Sequence, residues 1–229
     1  QIGLETSFTG EDSLTVTLDA GQLGNNGISE FGGDDTDDSL NVDGIAYTFP
    51  LGDKMTVMVG DNNDGSSLFT TACVYGGPGD TLDDCGAGNA NFANGGAMAA
   101  ASYDFGTGLT AAVGYAGGEA SLMSEEGVDA WGLNAAYTAE NYGVSISYAK
   151  VETAPPLLAG TTFADAGHED TFVALQGYYT PDGGFPSISV GYQTGEDGSV
   201  TGNNDSTSNY FVGLTWDEVG PGSAGIALG

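Results

Sequence analysis

Along most of this chain, apolar residues alternate one-for-one with small or polar ones, and the links between the alternating stretches switch strictly between short and long. Only a strand sends every second side chain to the same face, and only a hairpin makes links this short, so the chain is confined to an antiparallel up-and-down β architecture. Leu14, Val16, Leu18 and Ala20 alternate with Ser13, Thr15, Thr17 and Asp19. Trp131, Leu133, Ala135 and Tyr137 alternate with Gly132, Asn134, Ala136 and Thr138, and Tyr142, Val144, Ile146 and Tyr148 with Gly143, Ser145, Ser147 and Ala149. Twelve such segments begin near Ile2, Ser13, Leu40, Lys54, Ala97, Gly108, Ala130, Tyr142, Phe172, Ser187, Asn209 and Ser223. No stretch carries a helical period, and no run reaches the ~18 apolar residues of a membrane-spanning helix.

The short links are Thr9 to Glu11, Pro50 to Asp53, the turn at Gly106, Ala139 to Asn141, Pro181 to Gly184 and Glu218 to Pro221. Between them run long polar links, Gly21 to Ser39, Asp61 to Gly96, Gly117 to Asp129, Glu152 to Thr171 and Thr194 to Ser208. All long links therefore leave one end of the meander, and most of the acid sits in them.

Charge narrows the function. The 229 residues hold 32 Asp and Glu against two Lys and no Arg, a formal net charge of −30. Nucleic acid is excluded as a partner, because no basic stripe can displace phosphate counterions. Phosphate-cradling nucleotide chemistry fails likewise, for no glycine-rich segment ends in Gly-Lys-Ser/Thr. No enzyme constellation stands out. His168 lies in the polar run Gly167 to Asp170, where solvation is the simplest role for it. The pairs Asp34-Asp35 and Asp83-Asp84 lie in loops without the fixed separation that acid/base work requires.

A soluble sandwich would turn its apolar face inward and carry mixed charges outside. The polar face here is Gly, Ala, Ser, Thr, Asn and Gln. A transmembrane barrel reverses the arrangement, with the apolar face in lipid, small polar residues inside, short turns at one rim, long loops at the other and aromatic girdles at both. Phe8, Tyr47, Phe49, Tyr103, Phe105, Tyr137, Tyr142, Tyr179 and Trp216 stand beside short turns, and Tyr115, Trp131, Tyr148, Tyr192 and Tyr210 near the long links. The expected fold is an all-β up-and-down transmembrane barrel. Because lipid cannot satisfy a free strand edge, the sheet is expected to close into a ring. On this parity the interior is lined by Thr15, Thr17 and Asp19, by Lys54 and Thr56, by Thr110, Asn134, Ser145, Ser147 and Gln176, and by Ser187, Ser189 and Thr215. Lys150 shares the outward parity of Tyr148 and can snorkel toward lipid phosphates.

The run Thr6 to Leu14 (TSFTGEDSL), followed by Tyr47 to Val57 (YTFPLGDKMTV), resembles the barrel region of cyanobacterial outer-membrane porins that carry a surface-layer-homology domain and are related to carbohydrate-selective porins. The likeness covers essentially the whole chain, and the loop between Cys73 and Cys85 strengthens it. It implies residence in the outer membrane, contact with its lipid, and passive transport of small hydrophilic solutes or ions. It also implies a signal peptide and a periplasmic cell-wall anchor domain, neither of which is in this chain, and a C-terminal strand ending in an aromatic residue, where this chain ends Gly225 to Gly229. Residues 1–229 are therefore read as one domain that is part of a larger barrel, with twelve strands as a minimum. Porins often form trimers through their walls, and a homotrimer is an option that the outward face does not decide.

Cys73 and Cys85 bracket a Gly/Pro/Asp segment that a disulfide would tie at a gain of roughly 3 kcal/mol, which points to an oxidising compartment; two free thiols are the alternative. Zinc is not expected from two Cys and one distant His. The Asp61 to Gly96 link is the best candidate to fold inward as a constriction, against an exposed flap as the alternative. No cofactor is expected. Asp34, Asp35, Asp37, Asp38, Asp61 and Asp64 offer oxygens that could hold calcium or magnesium, without the spacing of an EF-hand. Together with Asp83 and Asp84, these carboxylates at one mouth would enrich cations and repel anions, so cation preference is expected. The competing function is a secreted or cell-surface acidic β-protein, an adhesin or surface-layer type, working through calcium-assisted contacts.

Overall fold

A computed structural model describes residues 2–20, 39–76, 84–92, 96–118, 129–153, 168–196, 198 and 206–229. Twelve strands form one antiparallel sheet in sequence order. They are β1 (Ile2–Thr6), β2 (Ser13–Asp19), β3 (Asn41–Leu51), β4 (Met55–Asp61), β5 (Ala97–Asp104), β6 (Leu109–Gly117), β7 (Asp129–Thr138), β8 (Tyr142–Thr153), β9 (His168–Tyr179), β10 (Ser187–Glu196), β11 (Ser206–Val219) and β12 (Gly222–Leu228). The described residues contain no helix. Two boundaries differ from expectation. β9 opens at His168, opposite Thr153, so His168 belongs to a strand and not to a polar link. β11 starts at Ser206. Ladder hydrogen bonds extend a strand through polar residues that break the apolar alternation, which is why the pattern alone ends it early.

Register keeps each kind of residue on its own face across several strands. Val113, Leu133, Tyr148 and Val173 form one cross-strand row. One residue along, Ala112, Asn134, Ser147, Ala174 and Gln193 form another. The first row faces out, with Val113 47% and Leu133 49% exposed, as do Ile146 and Val190 on neighbouring rows of the same face, each 46%. The second faces in, with Asn134 at 4% and Ser147 and Gln193 at 1%. This is a sheet with its polarity inverted relative to a water-soluble protein, the arrangement required where the surrounding medium is hydrocarbon.

Aromatic side chains gather at both ends of the outward face. Near the short turns, Tyr47 stacks on Phe49 with centroids 5.4 Å apart, Tyr103 meets Phe105 at 4.8 Å and Tyr137 meets Tyr142 at 6.1 Å. Trp131 and Tyr148 pair at 5.6 Å toward the other rim. Amphipathic rings at two levels mark the positions where an interface would lie.

The expected ring is not closed by these strands. Among the described residues β1 pairs only with β2 and β12 only with β11, and β1 and β12 do not touch. Each outer strand of the described sheet therefore keeps one edge without a ladder partner among the described residues.

The β1–β2 turn is locked by Asp12. Its Oδ1 accepts hydrogen bonds from Ser7 Oγ (2.7 Å), Thr9 Oγ1 (2.7 Å) and the backbone N–H groups of Phe8 (3.0 Å) and Thr9 (2.7 Å). Its Oδ2 accepts from Tyr47 Oη on β3 at 2.6 Å. The Tyr47 hydroxyl first, then Ser7 and Thr9, hold the Asp12 carboxyl well below the ordinary carboxylate range. A depressed native pKa adds stability that is complete above about pH 4 and is lost as pH falls toward the native value. Asp12→Asn is therefore expected to melt below the wild type at neutral pH, with the gap in Tm constant from pH 5 to 8 and narrowing only in stronger acid. Thermal melts in detergent across that range check it.

Candidate functional site

The concave face is occupied by the segment that follows β4. Asn62 N–H donates to Gly96 O at 2.8 Å, closing the base of the excursion. Turns follow, with Ser67 N–H bonded to Asp64 O and Phe69 N–H to Ser66 O. The chain then runs extended across the strands. Thr70 N–H donates to Asn134 Oδ1 of β7 at 3.0 Å, and Asn134 Nδ2 returns a bond to Thr70 O at 3.1 Å. Ala72 N–H donates to Ser145 Oγ of β8 at 2.9 Å, and Val74 N–H to Ser189 Oγ of β10 at 3.0 Å. Every second backbone N–H thus meets the wall, as an extended chain lying across a sheet must place them.

A returning arm is held in the same way. Gln176 Nε2 of β9 donates to Asp84 O at 2.6 Å. Gln193 Oε1 of β10 accepts from Asn89 N–H (3.2 Å) and Ala90 N–H (2.9 Å). A Cys73–Cys85 disulfide joins the two arms, with Cα atoms 6.1 Å apart. The expectation of a disulfide holds, and the segment lies against the inner wall and not as an exposed flap. Buried backbone groups on such a segment need partners, and the few longer polar side chains of an otherwise Gly, Ala and Ser wall supply them. Apolar contacts complete the fit. Phe92 packs with Met98, Ala100, Ala116, Ala130 and Ala149, Phe69 meets it edge-on at 6.0 Å, and Tyr75 meets Phe211 of β11 at 5.3 Å.

The expected lining residues divide into two groups. Asn134, Ser145, Ser147, Gln176 and Ser189 face inward but are covered by the segment, so they clamp it and do not bound open water. This corrects their assignment as lining, which parity alone could not distinguish from clamping. Ser187 is buried too and donates to Thr180 Oγ1 at 3.2 Å. The remainder lie apart from the clamp. Thr15 is exposed and Thr17 half-buried on β2; Thr56 stands opposite Ser102. Buried side-chain oxygens of Asp19, Thr110 and Thr215 have no hydrogen-bond partner among the described residues. Lys54 is exposed in the β3–β4 turn.

The acidic candidates are not gathered into a site. Asp61 ends β4 as a ladder residue opposite Ile45 and Ala97, not as a loop acid. Burial first, then the Asp43 charge, push the Asp64 carboxyl above its ordinary value. Asp84 caps its own turn through Gly86 N–H at 2.8 Å. Asp34, Asp35, Asp37, Asp38 and Asp83 lie outside the described residues. Among the described residues no group of three His, Cys, Asp or Glu could hold a metal ion. Lys150 on the outward face pairs with Glu169 across the β8–β9 ladder, where snorkelling to phosphate was expected; the carboxylate lies closer to hand. Sequence reasoning missed Gln193 and Phe211. Both share the inward parity of their strands, so the same rule would have found them.

Removing the disulfide with Cys73→Ser and Cys85→Ser is expected to lower stability by roughly 3 kcal/mol without changing strand content. Thermal melts and far-UV circular dichroism of the double variant test this.

No protein-family model matches the chain, and no curated protein matches it. Solved structures do. The anion-selective porin from Comamonas acidovorans is similar over 93% of this chain and 60% of its own, with a TM-score of 0.51 and 14% identity. The outer membrane channel DcaP of Acinetobacter baumannii is similar over 98% of this chain and 75% of its own, with a TM-score of 0.50 and 11% identity. The chain thus spans about three-fifths of the length of the first. At these identities the likeness is one of fold, an antiparallel up-and-down β-barrel wall.

Proposed function

We propose that this chain forms the wall and inner constriction of an outer-membrane porin, a non-enzymatic channel through which small hydrophilic solutes diffuse passively. The inverted sheet polarity carries the reading. A continuous outward band of Leu133, Ile146, Leu175 and Val190, each more than two-fifths exposed, has no reason to face water and every reason to face lipid. The inner segment then narrows the water-filled space that the inward face bounds. The unpaired edges of β1 and β12 are covered in the membrane by further strands of a larger barrel, because an open ladder in hydrocarbon costs several kcal/mol per unsatisfied group. The complete barrel to which this chain contributes, purified and reconstituted in a planar bilayer, is expected to give discrete conductance steps; a water-soluble monomer that needs no amphiphile and gives none would contradict the reading.

The permeant ions are proposed to be cations. Thirty-two carboxylates face two lysines in the sequence, and one of the lysines, Lys150, is ion-paired. A field of that sign raises the local cation concentration at a mouth. Under a salt gradient the reversal potential is expected to have the sign for cation flux, and the opposite sign would end this part of the proposal. The neighbour named as anion-selective is a different chain at 14% identity, so its selectivity does not transfer. Calcium or magnesium bridging the acidic loops, a periplasmic anchor domain of the kind the resembled porins carry, and trimeric assembly are carried as parts of the same proposal; a chelator that leaves Tm unchanged would remove the first.

A further inference from the structure

We infer that Gly114, Gly132 and Gly191 are positioning residues that set the depth at which the inner segment sits, and hence the bore of the channel. The inference rests on the porin reading above. All three stand on the inward face of the wall, on β6, β7 and β10, opposite Gly132, Tyr148's neighbour Ala149, and Gln176 and Phe211 respectively. At each, the segment comes closer than any side chain would allow. A Cβ placed on Gly114 would overlap the carbonyl oxygen of Gly65, and one placed on Gly191 would overlap the carbonyl oxygen of Cys85. On Gly132 it would come within 2.7 Å of Phe92 Cε1 and 3.2 Å of Phe69 Cζ on the segment side, and within 2.7 Å of the Tyr148 carbonyl oxygen of the neighbouring strand.

These contacts have a common consequence. Two involve backbone of the segment, which cannot yield by a rotamer change, and the third involves rings packed in a buried cluster. The clamps beside them, Asn134, Ser145, Ser189 and Gln193, are all 5% exposed or less and hold the segment against the wall at hydrogen-bond distance. A methyl group at a seat therefore cannot be accommodated by the wall. It displaces the segment away from the wall and into the lumen. Inward glycines are not all alike in this respect: Gly3 on β1, opposite Thr17, has nothing within 4 Å of a built Cβ.

The test is single-channel conductance of Gly114→Ala and Gly191→Ala beside Gly3→Ala and the wild type, in the complete barrel reconstituted into planar bilayers. Both seat variants are expected to conduct less than the wild type, Gly191→Val less again than Gly191→Ala, and Gly3→Ala to match the wild type. Unchanged or raised conductance in the two seat variants overturns the inference while leaving the porin reading intact; a wild type without channels removes the reading on which it rests. Where Gly191→Ala fails to fold, the same substitution is made with residues 66–91 replaced by a short Gly-Ser link. A seat matters only to what sits on it, so this second variant is expected to fold, and its failure to do so overturns the inference.

Discussion

Ile146→Arg, or Val190→Arg, is expected to destabilise the membrane-inserted sheet by about 2–4 kcal/mol, the cost of a cation on the lipid face near the bilayer midplane. Both residues lie mid-strand on the outward face, 46% exposed, between aromatic pairs at the two rims. No neighbouring carboxylate is within the strand register to pair with either: Ile146 stands between Ala135 and Leu175, and Val190 between Gly177 and Val212. The same substitution at Thr15, inward and exposed, is expected to cost less than 1 kcal/mol, because a lumen-facing guanidinium keeps its water. Chemical-denaturant unfolding in lipid vesicles measures the difference. In a soluble β-protein the order of the two costs would differ, since an arginine on a half-exposed outer face is ordinarily harmless.

The second large effect concerns the inner segment. Replacing residues 66–91 with a short Gly-Ser link is expected to raise single-channel conductance several-fold while leaving the wall folded. The wall is built from ladder pairs between sequential strands, none of which runs through the segment. What would be lost are the clamps on Asn134, Ser145, Ser189, Gln176 and Gln193 and the packing around Phe92. Those polar side chains would then meet lumen water, which satisfies them as well as the segment does, so the penalty for exposing them is small. An unchanged conductance would mean that the segment does not bound the narrowest passage.

The wall was legible from sequence because its two determinants are local. Period-two alternation fixes which residues share a face, and turn residues fix where each strand reverses, so Val16, Leu133, Ile146 and Val190 could be assigned to one side before any coordinates. The interior was less legible. Asn134 and Ser145 read as lining because their parity is inward, yet whether water or protein lies beyond them depends on where a segment more than 60 residues away in sequence comes to rest. Contacts of that range leave no periodicity. The glycines at 114, 132 and 191 are the nearest thing to a trace, since a wall position occupied by Gly where its neighbours carry Ala or Ser marks a close approach, but which backbone approaches is not written there. Lys150 shows a third limit. Its outward parity is plain, and its partner Glu169 comes from a strand whose start the alternation had not reached.

The orientation of the sheet relative to lipid is tested most directly by single introduced cysteines, since both native thiols are already joined in the Cys73–Cys85 disulfide. With Leu133→Cys, Ile146→Cys and Val190→Cys on one side and Thr15→Cys and Thr56→Cys on the other, spin labels are attached in vesicles and their collision rates with oxygen and with a water-soluble nickel complex compared. Labels on the first three should collide preferentially with oxygen, which concentrates in hydrocarbon, and labels on the last two with the nickel complex. Preferential nickel collisions at 133, 146 and 190 would contradict the account.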